Sequence, residues 1–187
     1  MEKHKCSWCV GDDLYEAYHD LEWGKPVYDD DILFRVLMLE TFQAGLSWIT
    51  VLRKYDNFSK AFNNFDYQKI AQYNEVKLEK LRHDAGIIRH KLKIKAAVTN
   101  AQAFLNTQQE FTSFSKYIWA FTDGKVIKNK WKHSSDIPAH TKLSETVSKD
   151  LKKRGFKFVG PTIVYAFLQA SGIINDHELD CFRYHEV

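Results

Sequence analysis

Apolar side chains recur at helical spacing through most of this chain, and the alternation typical of strands is scarce. The clearest stripe follows an acidic cluster at residues 29–31, which suits a helix N-terminus, and carries Leu33, Val36 and Leu37. Proline, which interrupts helices, occurs three times in 187 residues. The pattern therefore predicts an all-α protein.

The helix that starts at the acidic cluster is predicted to end at Gly45, and the next to run over residues 47–55. Six further helices are predicted by the same spacing, at residues 67–72, 76–84, 91–106, 111–121, 143–154 and 162–171. Residues 123–139 contain glycine and proline and are predicted to be a long connection. Because the sequence has no internal repeat or obvious linker, residues 1–187 are expected to form a single domain.

The composition indicates where the protein is located and which binding partners its charge and cysteines suit. The sequence lacks an apolar run of 18 residues and a secretory signal pattern, so we expect a cytoplasmic protein without membrane association. Its three cysteines suit free thiols or metal ligands better than a disulfide framework. The net charge of +3 is too small to indicate nucleic acid by itself. Basic runs at residues 89–95 and 149–157 are also compatible with ordinary solvated helix faces.

Four residues near the two ends of the chain form a candidate zinc set. His177 and Cys181 are four apart, a spacing that places both side chains together on one helical turn. Cys6 and His19 would complete a tetrahedral Cys2His2 site. The spacing matches no known zinc finger, and Cys9 forms a competing CxxC pair with Cys6. Buried thiols and ordinary surface histidines explain the same residues, so both interpretations stay open.

Glu40 lies on the apolar stripe of the first predicted helix, where burial of a charge without a partner is costly. The simple explanation is a carboxylate at the edge of the stripe that reaches solvent. The functional one is a carboxylate that lines a pocket. Four aromatic residues that lie close in sequence are suited to stack on a planar ligand, although they also suit a core: Tyr15, Tyr18, Trp23 and Trp48.

Two glycine-containing turns precede predicted helices, at residues 84–91 and 156–162. A helix N-terminus offers free backbone N–H groups to an anion, and proline fits its first turn. Each turn alone is an ordinary helix connection. Together, with a basic run beside each, they favour a nucleic-acid-binding protein.

Five motifs in this order resemble those of the 3-methyladenine DNA glycosylase I family, a branch of the helix-hairpin-helix DNA glycosylases. They extend over nearly the whole chain and comprise residues 18–24 (YHDLEWG), 43–51 (QAGLSWITV), 84–90 (DAGIIRH), 151–160 (LKKRGFKFVG) and 175–177 (NDH). The resemblance implies an all-α fold in which one helical lobe carries a hairpin near residues 156–162. It also implies a second lobe that contains both termini, joined through zinc.

The resemblance assigns residues to three roles. It implies one structural zinc ion, held by Cys6, His19, His177 and Cys181. It also implies a pocket in which Glu40 is the catalytic residue and Tyr18, Trp48, Trp8 and Tyr15 bind the base. The expected DNA-binding residues are the turn and hairpin positions Gly45, Leu46, Lys153, Arg154, Lys157 and Gly160, with Leu46 as an apolar wedge. In this pattern Cys9 has no counterpart.

One departure from the wider superfamily concerns Asp176. It lies near the place where related enzymes carry a catalytic aspartate, but it adjoins the proposed zinc ligand His177. We therefore do not assign it as the catalytic base.

The activity that the resemblance implies is base excision repair: the enzyme flips 3-methyladenine out of alkylated double-stranded DNA and hydrolyses its bond to the sugar, leaving an abasic site. We expect the protein to act as a monomer. Two other functions fit the sequence less well. A non-catalytic DNA-binding module has no use for the polar aromatic pocket around Glu40. A zinc hydrolase needs an open coordination position, which four protein ligands do not leave.

Overall fold

The computed structural model describes residues 3–187 and is mostly helical, with very little strand, which confirms the all-α prediction. Its α-helices, in chain order, are α1 (Asp13–Leu21), α2 (Asp30–Gln43), α3 (Trp48–Leu52), α4 (Tyr55–Ala61), α5 (Tyr67–Ile70), α6 (Glu75–His83), α7 (Lys91–Phe111), α8 (Phe114–Trp119), α9 (Lys142–Lys153) and α10 (Pro161–Ala170). Short 3-10 turns lie at Asn63–Phe65, Ala120–Thr122, Ser134–Asp136 and Phe182–His185. Two strands of two residues each, β1 (Ile127–Lys128) and β2 (Ile174–Asn175), complete the fold.

Helix α1 was missed by the apolar spacing because only one of its residues, His19, is buried. Its start is set locally, since the Asp12 side chain accepts hydrogen bonds from the backbone N–H groups of Leu14 and Tyr15, each at 3.1 Å. Helix α4 was also missed, and α7 continues to Phe111, past the predicted end at 106. The remaining predicted helices are present with shifted ends.

Helix α2 lies at the centre of the molecule and packs against α7, α8 and α10. Phe34 and Phe42 of this helix are fully buried, as is Phe104 of α7, and the rings of Phe34 and Phe104 are 5.2 Å apart. The Asp30 carboxylate ties the start of α2 to the start of α8, because it accepts hydrogen bonds from the backbone of Phe114 and Ser115. A buried helix with a fixed start is a rigid support for residues near its other end.

The long connection predicted over 123–139 is not wholly irregular, because β1 lies within it. Strand β1 pairs in parallel with β2, with Ile127 opposite Ile174 and Lys128 opposite Asn175. The pairing was invisible in the sequence because two residues are too few to show alternation. It brings the connection beside the C-terminal segment that carries His177.

Within residues 3–187, no helix has both the length and the apolar character needed to cross a membrane. The organisation of the chain as one glycosylase domain with two lobes stays a prediction.

Candidate active site and metal centre

A cavity of about 320 Å³ opens beside the C-terminal half of α2. All five residues predicted for the pocket line it, namely Trp8, Tyr15, Tyr18, Glu40 and Trp48. These five come from the N-terminal segment, α1, α2 and α3, while α10 and the connection after α8 supply further lining residues.

Glu40 is the polar group at the centre of this site. Its side chain is 3% exposed, and its Oε2 atom has no hydrogen-bond partner among residues 3–187. Burial penalises the charged form and raises the pKa of the carboxyl to about 8. A buried carboxyl without a partner is costly to the fold. The Glu40 carboxyl can therefore accept hydrogen bonds from a ligand or pair with a positive charge on it.

Aromatic rings surround this carboxyl. The rings of Tyr18 and Trp48 lie 5.2 Å apart and form one wall, while Trp8 and Tyr15 meet edge to face at 5.1 Å. The indole Nε1 of Trp48 is buried and lacks an acceptor within the described part of the chain. An acceptor and a donor are thus left unpaired beside aromatic faces, an arrangement that suits a planar ligand with polar edges.

Five further lining residues were missed by the sequence analysis, namely Gln43, Ser134, Ile137, Ala166 and Gln169. Gln43 lies three residues after Glu40 on α2, so helical spacing was a signal for it. Trp23, which the sequence analysis named among the aromatics suited to stack on a planar ligand, also lines the cavity. Gln169 lies on α10, far away in sequence, and no local pattern indicated it.

Asp176, left unassigned by the sequence, is fully buried and accepts four hydrogen bonds. The donors are Asn129 Nδ2, Trp131 Nε1, Tyr165 Oη and Gln169 Nε2, at 2.5 to 2.7 Å. Both carboxylate oxygens are therefore engaged. Asp176 joins the connection after α8 to α10 and orients Gln169 at the cavity, and this engagement leaves it unsuited to act as a base.

The four predicted metal ligands converge in a buried cluster. The ligand atoms of Cys6, His19, His177 and Cys181 all lie within 4.8 Å of one another, so the group can hold a metal ion. His177 and Cys181 are not on a helix, contrary to the prediction; they lie in the turn that follows β2, which brings them together all the same. Cys9 is buried outside the cluster, and its thiol donates to the Cys6 carbonyl at 3.1 Å.

Neighbouring residues fix the orientation of both histidines of the cluster. His19 Nδ1 is 2.8 Å from Asp20 Oδ1, which leaves Nε2 to face Cys181 Sγ at 3.4 Å. The His177 ring lies against Gly24, where an added Cβ would be 2.5 Å from Nε2. Gly24 also has a φ of +77°, so this position requires glycine on two counts.

The cluster supports one wall of the cavity. Trp23 packs edge to face on His177 at 4.6 Å, and Trp8 packs on His19 at 5.5 Å. Both tryptophans line the cavity. Anything that loosens the cluster therefore loosens the aromatic wall.

The predicted wedge turn follows α2 directly. Gly45 has a φ of +80°, which glycine tolerates best, and Leu46 is 43% exposed. An exposed leucine at the tip of a tight turn next to the cavity has the geometry expected of an apolar wedge.

The predicted hairpin is the segment between α9 and α10. Lys153 and Lys157 are exposed on it, and Gly160 caps α10. Arg154 differs from the expectation, because its guanidinium is bound to Asp150 and Glu110, each at 2.7 Å. These ion pairs leave Arg154 poorly suited to contact a phosphate.

Comparisons with known proteins agree over nearly the whole chain. A family model described as methyladenine glycosylase matches residues 8–184. DNA-3-methyladenine glycosylase 1 of Escherichia coli (strain K12) is 47% identical over 180 residues, a match that covers 96% of each chain. A crystal structure of 3-methyladenine DNA glycosylase I has a TM-score of 0.93 and 47% identity, covering 96% of this chain and 98% of the other. A structure of the Staphylococcus aureus protein, described as the structural basis of 3-methyladenine recognition, has a TM-score of 0.92 and 39% identity, covering 95% of each chain.

Proposed function

This chain belongs to the methyladenine glycosylase family, and we propose on that premise that it excises 3-methyladenine from alkylated DNA by hydrolysing the bond between base and sugar. The product is an abasic site, so the reaction is the first step of base excision repair. Glu40 carries the proposal: it is a buried carboxyl, without a partner among residues 3–187, inside an aromatic cavity.

The charge of the substrate explains why such a carboxyl is useful. In DNA, 3-methyladenine carries a formal positive charge, and a cation beside Glu40 favours the carboxylate form. The carboxylate then accepts hydrogen bonds from the amino edge of the adenine, while Tyr18 and Trp48 offer their π faces, an attraction of about 0.5–2 kcal/mol. Each of these interactions weakens when the base is neutral. The cavity therefore favours the lesion over normal adenine.

The same charge makes the reaction easy. When the glycosidic bond breaks, its electron pair moves to the base, which leaves as a neutral molecule and needs no proton from the enzyme. A water oxygen then bonds to the sugar carbon and loses its proton to solvent. The main tasks of the protein are to hold the extruded base and to offset an unstacking cost of a few kcal/mol.

Zinc fits the Cys6, His19, His177 and Cys181 cluster. With Zn–S of about 2.3 Å and Zn–N of about 2.0–2.1 Å, a tetrahedral site places sulfur and nitrogen about 3.6 Å apart. Three of the four sulfur–nitrogen distances here are 3.4, 3.5 and 3.7 Å. Four protein ligands leave no position for a reacting water, so the ion would supply a structural link between the termini and no hydrolytic chemistry.

The proposed DNA contacts lie beside the cavity. Leu46 would fill the gap left by the flipped nucleotide, and the N–H groups after Gly160, with Lys153 and Lys157, would meet the phosphate backbone. Arg154 is withdrawn from this set because of its ion pairs. The remaining parts of the proposal are that the substrate is double-stranded, that the protein acts as a monomer and that it works in the cytoplasm.

The activity is tested by incubating the protein with methylated DNA and identifying the released bases by chromatography. The proposal predicts free 3-methyladenine, released in proportion to enzyme and absent when DNA is incubated alone at the same pH. DNA that retains its 3-methyladenine under these conditions would contradict the proposed function.

A further inference from the structure

A buried lysine holds the end of the helix that carries Glu40. Lys93 lies in the first turn of α7 and is 5% exposed. Its ammonium donates hydrogen bonds to the carbonyl oxygens of Phe42 at 2.9 Å and Ala44 at 2.5 Å. The two acceptors flank Gln43, the last residue of α2 and part of the cavity lining.

The wedge turn needs this support because α2 stops abruptly. The last carbonyl groups of a helix have no partner within the helix. Ala44 leaves the helix with φ −45° and ψ 115°, Gly45 takes a φ of +80°, and the Leu46 N–H bonds back to the Gln43 carbonyl at 2.6 Å. The ammonium of Lys93 satisfies the carbonyls on either side of that bond and lies at the negative end of the helix dipole.

The residue does not itself face the site. Lys93 is not among the residues that line the cavity, and its ammonium contacts backbone that continues directly into Leu46. An effect of Lys93 on the reaction therefore has to pass through the turn.

We propose that Lys93 is a positioning residue for base flipping: it fixes the turn that presents Leu46 to the gap in the DNA and Gln43 to the cavity. This inference rests on the proposed function and on the wedge role of Leu46. It predicts that Lys93 matters most when a paired base has to be extruded and matters little once that step is unnecessary.

The test compares two duplexes in single-turnover base release. One carries 3-methyladenine opposite thymine, and the other carries it opposite an abasic-site analogue, where no base pair has to open. Lys93→Met keeps the apolar stem but removes the ammonium. We expect its rate to fall about tenfold or more on the paired lesion and no more than about threefold on the unpaired one, because unpaired bases are easier to extrude.

Three control measurements test this interpretation. Lys116→Met removes an equal charge from an exposed position on α8 and should leave both rates unchanged. Leu46→Ala should reproduce the split between the two duplexes. In the double variant the losses should not multiply, because residues that act through one element are not additive. If Lys93→Met does not fold, Lys93→Gln keeps an uncharged N–H donor group on a shorter side chain and should give a smaller split of the same sign.

Each possible result decides one question. Equal losses on the two duplexes, or multiplicative losses in the double variant, would overturn the role of Lys93 while leaving the activity intact. Wild-type protein that releases 3-methyladenine from neither duplex would instead overturn the proposed function.

Discussion

Two buried carboxyl groups in this protein have opposite surroundings. Asp176 is 0% exposed and accepts four hydrogen bonds; Glu40 is 3% exposed, and its Oε2 has no partner within residues 3–187. A buried carboxylate that is fully bonded holds a structure together, whereas one that is left unpaired costs the fold free energy. The difference supports the proposal that Glu40 serves a ligand, whereas Asp176 serves the architecture.

The metal cluster beside Asp176 should show the largest effect on stability. We expect one zinc ion per purified chain, and we expect Cys181→Ser to lose it and to lower the Tm by about 10–20 °C, because metal-binding energy is folding energy when distant segments supply the ligands. Cys9→Ser is the matched control, since Cys9 is buried outside the cluster and should keep the metal. Elemental analysis and thermal unfolding measure both. Zinc-free wild-type protein, or full metal content in Cys181→Ser, would refute the ligand assignment.

Asp176→Asn should cost about 3–6 kcal/mol of unfolding free energy, because an amide NH2 replaces an oxygen that accepts two hydrogen bonds. Urea denaturation measures the loss. Protein that remains folded should retain most of its single-turnover rate. A large loss of rate at unchanged stability would mean that Asp176 takes part in the chemistry, and the contrast with Glu40 would fail.

The substitution Glu40→Gln should change the free energy of unfolding in the opposite direction and stabilise the fold. The pKa of Glu40 is raised by burial from 4.5 to about 8, so the unfolded chain ionises first. Wild-type protein therefore loses stability, relative to the variant, as pH rises from about 4.5 to about 8. Between pH 5 and pH 8 the advantage of the variant should grow by up to about 4 kcal/mol. Denaturation at the two pH values measures it, and an advantage that shrinks with pH would contradict the buried, unpaired state of Glu40.

The exposed lysines of the hairpin are a third environment for charged side chains. Their substitution should have the smallest effect per residue. Lys153→Ala and Lys157→Ala should each reduce the slope of log affinity against log salt by roughly one, because each removes one of the proposed phosphate contacts. Arg154→Ala should leave the slope unchanged, since its guanidinium is already paired with Asp150 and Glu110. Unchanged slopes for both lysines would place the DNA surface elsewhere.

The helical periodicity was enough to predict the fold class, and the resemblance in five motifs is confirmed by the comparisons. The periodicity failed for α1, whose exposed residues carry no stripe, and for the two-residue strands. The position of Glu40 on an apolar stripe drew attention to it, but whether it was paired depended on residues distant in sequence. For the same reason the paired state of Arg154 and the bonds of Lys93 became visible only in the structure.

The central claim is that the unpaired carboxyl of Glu40 recognises a cationic base. It is tested most directly by single-turnover release from DNA that holds one lesion at a time, either 3-methyladenine or the neutral base hypoxanthine. The wild type should release 3-methyladenine readily and hypoxanthine hardly at all, and Glu40→Gln should slow 3-methyladenine release by about 1–3 kcal/mol of activation free energy. Efficient release of hypoxanthine by the wild type, or an unaltered rate in Glu40→Gln, would contradict the account.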